Sequence, residues 1–109
     1  MREFNLLCKY PQPEERIIPN RTIEDRIHAA YRGMDFFDGP RSSGYGGMRL
    51  DGRWKETAQF IVDQYRCERV IQFGCEKGYL LFELRELGIE VIGVDSSSYA
   101  RSHAAPGVK

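Results

Sequence analysis

The run Gly74-Cys75-Glu76-Lys77-Gly78 separates a short apolar stretch, Arg69 to Phe73, from a segment with leucines at helical spacing. A turn of this kind, between a strand and a helix, can hold a ligand. The helix start presents N–H groups without intrahelical partners and a partial positive charge, and glycines let a ligand come close to the backbone. Asp95 closes the next apolar run. An acid roughly 20 residues beyond such a turn can accept two hydrogen bonds from a ribose diol. Residue types and spacing therefore point to an adenosine-containing cofactor.

The glycine spacing narrows the choice. The dinucleotide fingerprint GxGxxG needs glycines where Glu76 and Tyr79 stand, and pyrophosphate at this turn would lie beside the Glu76 charge. A P-loop is excluded because Lys77 is not in a GK[ST] context. Gly74 and Gly78 match the outer two positions of GxGxG. Each residue also has a plainer role open to it. Asp95 could cap the next helix, and Gly78 could serve helix–strand packing. Cys75, with no histidine nearby in sequence, reads as a buried small residue rather than a nucleophile.

The elements that must position this turn follow from periodicity. Arg69–Phe73 and Glu90–Val94 read as strands, with a helix from Tyr79 to Leu87 between them that turns Leu80, Leu81, Leu84 and Leu87 inward and Glu83, Arg85 and Glu86 outward. Gly88 ends that helix. Strand, turn, helix, strand is a βαβ unit, so the two strands are expected to be parallel and adjacent with a right-handed crossover. Both strands are apolar at nearly every position, which suits a sheet covered on both faces. Ser97 is placed to cap a further helix from Ser98.

Upstream, Thr22 can cap a helix with Asp25 three residues on as capping-box partner. Ile23, Ile27, Ala30, Tyr31 and Met34 then recur at helical spacing, and Gly33 marks the fraying end. Residues 38–52, DGPRSSGYGGMRLDG, are too rich in glycine for long regular structure. A helix from Arg53 to Tyr65 follows, with Trp54, Ala58, Ile61 and Tyr65 on one face and Lys55, Glu56 and Asp63 opposite. Residues 1–20, with Pro11, Pro13 and Pro19, read as an extended arm. The chain thus divides into an arm (1–20), N-terminal helices with a glycine-rich loop (21–66) and a βαβ half-domain (67–109).

The run VIQFGCEKGYLLFELRELGIEVIGVDSSSYA resembles motif I through the post-I acidic residue of class I S-adenosylmethionine-dependent methyltransferases. The stretch DGPRSSGYGGMRLDGRW resembles the segment upstream of the first strand in one subgroup of that family, which pairs a GPRxxGYGG-type loop and a DGRW-type helix start with a GCEKG-like motif I. The two matches cover roughly residues 38–103. The resemblance implies the N-terminal part of a Rossmann-like α/β fold, with a parallel sheet and helices on both faces. It implies S-adenosyl-L-methionine as cofactor and a small-molecule methyl acceptor. Gly74 and Gly78 would let the backbone approach the methionine part, Asp95 would hold the ribose hydroxyls, and Ser96 and Ser97 would border adenine. The resemblance places Arg41 and Tyr45 in the upstream loop, and their residue types suit a lid over cofactor or substrate, which would set them among the cofactor-binding residues. Two positions depart from the usual pattern. Gln72 stands where an acid is common, and it hydrogen-bonds without supplying charge. Glu76 stands where a glycine is common, and its carboxylate can supply that charge instead.

The bulk composition fits this reading. The chain has 109 residues, enough for one small domain, with 16 Lys+Arg against 16 Asp+Glu. Zero net charge removes the main electrostatic reason to expect nucleic-acid or membrane-surface binding. No apolar run approaches the ~20 residues of a membrane span. Cys8, Cys67 and Cys75 form no CxxC pair, and only His28 and His103 accompany them, so a zinc site is not expected and a cytoplasmic location with reduced thiols is. By the resemblance, the residues that bind the acceptor lie beyond Lys109. A two-stranded half-sheet leaves one face and an edge uncovered. The chain is therefore expected to be marginally stable, or to self-associate through the uncovered sheet, and to be inactive alone. The alternative function is a non-catalytic module that binds cofactor or partner.

Overall fold

The computed structural model describes residues 21–108. The expected arm, 1–20, and Cys8 within it lie outside the described residues. In chain order the elements are α1 (Ile23–Tyr31), α2 (Met34–Phe37), a 3₁₀ turn (Arg41–Ser43), α3 (Lys55–Tyr65), β1 (Arg69–Phe73), α4 (Tyr79–Glu86), β2 (Glu90–Val94) and α5 (Ser98–Ser102).

β1 and β2 pair in parallel, with Arg69 opposite Glu90 and Phe73 opposite Val94, so both strands end level with each other. Their bounds and direction are those the apolar runs imply. The result is a small α/β structure with a two-stranded parallel sheet and helices. Ala58, Leu81, Leu84, Ile89 and Val91 form the core, with Ile61, Val62, Val70, Cys75, Leu80 and Val108 packed against it. Burying such side chains is the main term favouring folding, about 1.5–3 kcal/mol each for the large aliphatic ones.

Among the described residues, helices cover one face of this sheet. Ile71, Phe73, Ile92 and Val94 point to the other face and are exposed, Phe73 at 78%. The expected cover on both faces is therefore absent within residues 21–108. The alternation is visible in the burial of both strands.

α4 differs from its expected pattern at two positions. Glu83 is turned inward, only 5% exposed, and Leu87 is 41% exposed. α4 packs against both α3 and β2, so more than one stripe of its surface is covered. Beyond its N-terminal end, the Ala105 N–H donates to the Lys77 carbonyl at 2.8 Å, which ties the segment after α5 to the glycine turn. On α3, Ala58 is buried and Ile61 half-buried as expected, whereas Tyr65 is exposed.

The helix expected from Thr22 to Met34 is two helices. Thr22 does cap α1, with the full capping box to Asp25. Arg32 then adopts a left-handed conformation, φ +50°, ends α1, and Gly33 opens α2. Contacts of Arg32 hold this break, one of them across 65 residues. The Arg32 carbonyl accepts a hydrogen bond from Ser97 Oγ at 2.6 Å, and its guanidinium lies over the Phe36 ring. Helical periodicity cannot register contacts of that sequence separation.

Candidate functional site

The glycine turn sits where β1 ends, beside the end of β2. Gly74, Glu76 and Gly78 all have positive φ, +72°, +56° and +73°. This conformation is natural for the two glycines and costs a non-glycine residue roughly 1–2 kcal/mol. The Gly74 N–H donates to the Val94 carbonyl at 2.7 Å, and the Gly78 N–H donates to the Cys75 carbonyl at 2.8 Å. Cys75 folds back over β2, where Gly93 admits it. A Cβ at position 93 would lie 2.6 Å from Cys75 Sγ and 2.9 Å from Leu81 Cδ1.

Asp95 braces the turn. Its Oδ2 accepts the Glu76 N–H and its Oδ1 accepts the Ser97 N–H, each at 2.8 Å, and the residue is 8% exposed. The bond to Glu76 secures the left-handed backbone at that residue. The bond to Ser97 helps set up α5, where Ser97 Oγ in turn accepts the Ala100 N–H. The Glu76 side chain points toward the N-terminal region. Tyr45 Oη donates to Glu76 Oε1 at 2.5 Å, and Arg32 Nη2 approaches the same oxygen at 3.4 Å. Glu76 Oε2 makes no hydrogen bond among the described residues.

A second cluster fastens the upstream loop to the turn. Lys77, 6% exposed, donates to both Asp38 oxygens, and Tyr99 Oη donates to Asp38 Oδ2 at 2.6 Å. The Met48 N–H reaches Asp38 Oδ1 at 3.3 Å. Burial opposes the Asp38 charge, but these three donors outweigh it and hold the carboxyl below its ordinary range. The bond to Asp38 pushes the Tyr99 phenol up. Around the cluster, Phe37 is fully buried and stacks on Tyr99 at 6.1 Å, and Phe36 meets Phe37 and Tyr45 edge-on at 5.0 Å.

The structure brings several of the sequence-selected residues together and leaves others apart. Gly74, Glu76, Gly78, Asp95 and Tyr45 converge on one end of the sheet. Gln72 lies on the covered side of β1, and its buried Oε1 has no hydrogen-bond partner. Ser96 is exposed next to Asp95. Arg41 bonds within its own loop, donating to the Gly44 carbonyl at 2.7 Å. The space beside Gly74 is open, whereas Val108 fills the space beside Gly78, within 2.7 Å of where a Cβ would stand. Cys75 is no activated nucleophile, because burial and the nearby Asp95 charge push its thiol up.

Sequence reasoning missed Arg32, Asp38, Lys77, Gly93 and Tyr99 as organisers of this region. Asp38 and Lys77 are opposite charges, but 39 residues separate them and nothing in the local pattern pairs them. A group of His, Cys, Asp or Glu side chains arranged to hold a metal ion is absent among the described residues. Chemically, the site offers an open backbone at Gly74 and carboxylates at Glu76 and Asp95. No helix among the described residues is long and apolar enough to cross a membrane. No protein-family model matches the chain, and no curated protein or solved structure matches it.

Proposed function

We propose that this chain is the cofactor-binding portion of an S-adenosyl-L-methionine-dependent methyltransferase of the Rossmann-like class I type, acting on a small-molecule acceptor. One observation carries the reading. The glycine turn and Asp95 stand side by side at the carboxyl ends of two parallel strands, joined by the bond from the Glu76 N–H to Asp95. In open α/β sheets, ligands bind outside the carboxyl ends of the strands.

The residues present suit the methionine end of such a cofactor. The unpartnered Gln72 Oε1 is an acceptor for an ammonium group, and a buried acceptor without a donor costs about 1–3 kcal/mol until one arrives. The open side of Gly74 admits close approach. At the other end, Asp95 and Ser96 would face the adenosine. An ionised carboxylate has about four acceptor positions, so the two backbone bonds of Asp95 leave it capacity for hydroxyl donors. When bound, S-adenosylmethionine supplies a methyl group on a positively charged sulfur. The protein's part is to orient that group toward the acceptor. Tyr45, anchored on Glu76, stands at the mouth of the turn.

A second reading, a non-catalytic binding module, draws on the burial of Asp95 and on Val108 lying against Gly78. Calorimetric titration with S-adenosylmethionine, S-adenosylhomocysteine and NAD tests the proposal. Saturable binding of the two adenosyl ligands, with none of NAD, is expected. NAD binding in their place would overturn it.

A further inference from the structure

A glycine turn leading into a helix is ordinarily an anion cradle, because its N–H groups and the helix dipole face the ligand. Here four donors of that cradle are engaged from within, while α4 begins at Gly78 without a side-chain cap. The N–H groups of Gly74 and Cys75 converge on the Val94 carbonyl, that of Glu76 goes to Asp95, and that of Gly78 goes to Cys75. The apolar Val108 side chain packs on Gly78, at the start of α4. Lys77, the one lysine of the turn, gives its ammonium to Asp38. A phosphate arriving at this turn meets these engaged donors, an apolar cover and the carboxylates of Glu76 and Asp95, with Arg32, whose Nε is buried without a partner, as the nearby cation.

The same features favour a positive centre. Glu76 Oε1 is satisfied by Tyr45 and Arg32, while Oε2 makes no hydrogen bond among the described residues. The side chain is 23% exposed, so water screens it only in part. The left-handed backbone at Glu76 is the conformation that a glycine would take freely. A carboxylate-bearing residue is therefore held there at a cost in strain.

We infer that Glu76 is the specificity-determining residue of the turn, selecting ligands that carry a positive centre over ligands that carry phosphate. The inference rests on the adenosyl-cofactor reading and assigns that site its charge preference. S-adenosylmethionine and S-adenosylhomocysteine make the test, because they differ by the methyl group and the charge on sulfur.

Affinities of both ligands and of ATP are measured calorimetrically for the wild-type chain, for Glu76→Gln, which removes the charge, and for Glu76→Gly, which also relieves the backbone. Thermal melts of the free proteins confirm that each variant folds, and the glycine variant is suited to φ +56° should the glutamine variant fail. The ratio of S-adenosylmethionine to S-adenosylhomocysteine affinity is expected to fall roughly fivefold in both variants, and ATP binding is expected to appear or strengthen. Wild-type and variant ratios that agree within error, with both adenosyl ligands bound, would overturn the role of Glu76 and leave the cofactor reading standing. Wild-type protein that binds ATP more tightly than S-adenosylmethionine would overturn anion exclusion. Wild-type protein that binds neither adenosyl ligand would refute the cofactor reading itself.

Discussion

Replacing Gly93 by alanine tests how the turn is seated on the sheet. The added methyl would stand 2.6 Å from Cys75 Sγ and 2.9 Å from Leu81 Cδ1, well inside normal contact. Leu81 is fully buried in the core, so it has little room to retreat. Overpacking of this kind costs about 1–3 kcal/mol. Against that stands the gain from replacing a strand glycine, roughly 0.5–1 kcal/mol. The net expectation is a loss of about 1–2 kcal/mol in urea denaturation, and a drop of about 5–10 °C in the thermal midpoint for a domain of this size. Adding Cys75→Gly removes the nearer clashing atom. The double variant should recover about 1 kcal/mol relative to the sum of the single changes, a coupling typical of residues in contact. A Gly93→Ala protein as stable as the wild type, or one whose loss is unaffected by Cys75→Gly, would refute the claim that Cys75 folds over Gly93 to fix the turn.

Lys77→Met should destabilise the chain by about 2 kcal/mol in the same assay, because it strips Asp38 of its buried cation and leaves only Tyr99 and the Met48 amide as donors. Acid should weaken the fold through carboxylates whose pKa falls on folding. Asp38 is held low by its donors against burial, and the Arg53 guanidinium holds Asp51 at about 2. For a lowered folded pKa the stability is present above the unfolded value, about 3.9, and is lost as pH falls through the folded value. Circular dichroism from pH 6 to roughly pH 2 should therefore show a loss that begins below about pH 4, and Asp38→Asn should flatten it. Thr22→Ala should cost α1 about 1 kcal/mol by removing its capping box, read as faster amide exchange across Ile23–Tyr31 with α4 unchanged.

The sequence made the βαβ unit legible, because its signals are local. The strands are short apolar runs ended by Gly74 and Asp95, and Ser97 and Thr22 cap helices through bonds that span three residues. The turn and its facing acid were legible for the same reason. The break at Arg32 was not, since it depends on Ser97, Phe36 and Glu76. Glu83 looked like a surface charge on one helix face, but α4 is covered on more than one side. Asp95 looked free to bind a ribose. Its backbone partners lie at Glu76, across the turn, and at Ser97, and only the first of these needed the parallel pairing to bring it near. Tyr45 and Arg41 were selected by residue type as parts of a lid; the Tyr45 hydroxyl donates to Glu76 and Arg41 donates to Gly44, contacts that no local pattern registers for Tyr45.

The central claim concerns where an adenosyl ligand binds, and amide chemical-shift mapping tests it most directly. Titrating S-adenosylhomocysteine into isotopically labelled protein should shift the amides of Gln72, Gly74, Cys75, Glu76, Asp95 and Ser96, while those of α1 and the N-terminal half of α3 stay in place. A saturated titration with no shifts at the turn, or with shifts confined to the exposed face of Ile71, Phe73, Ile92 and Val94, would contradict it.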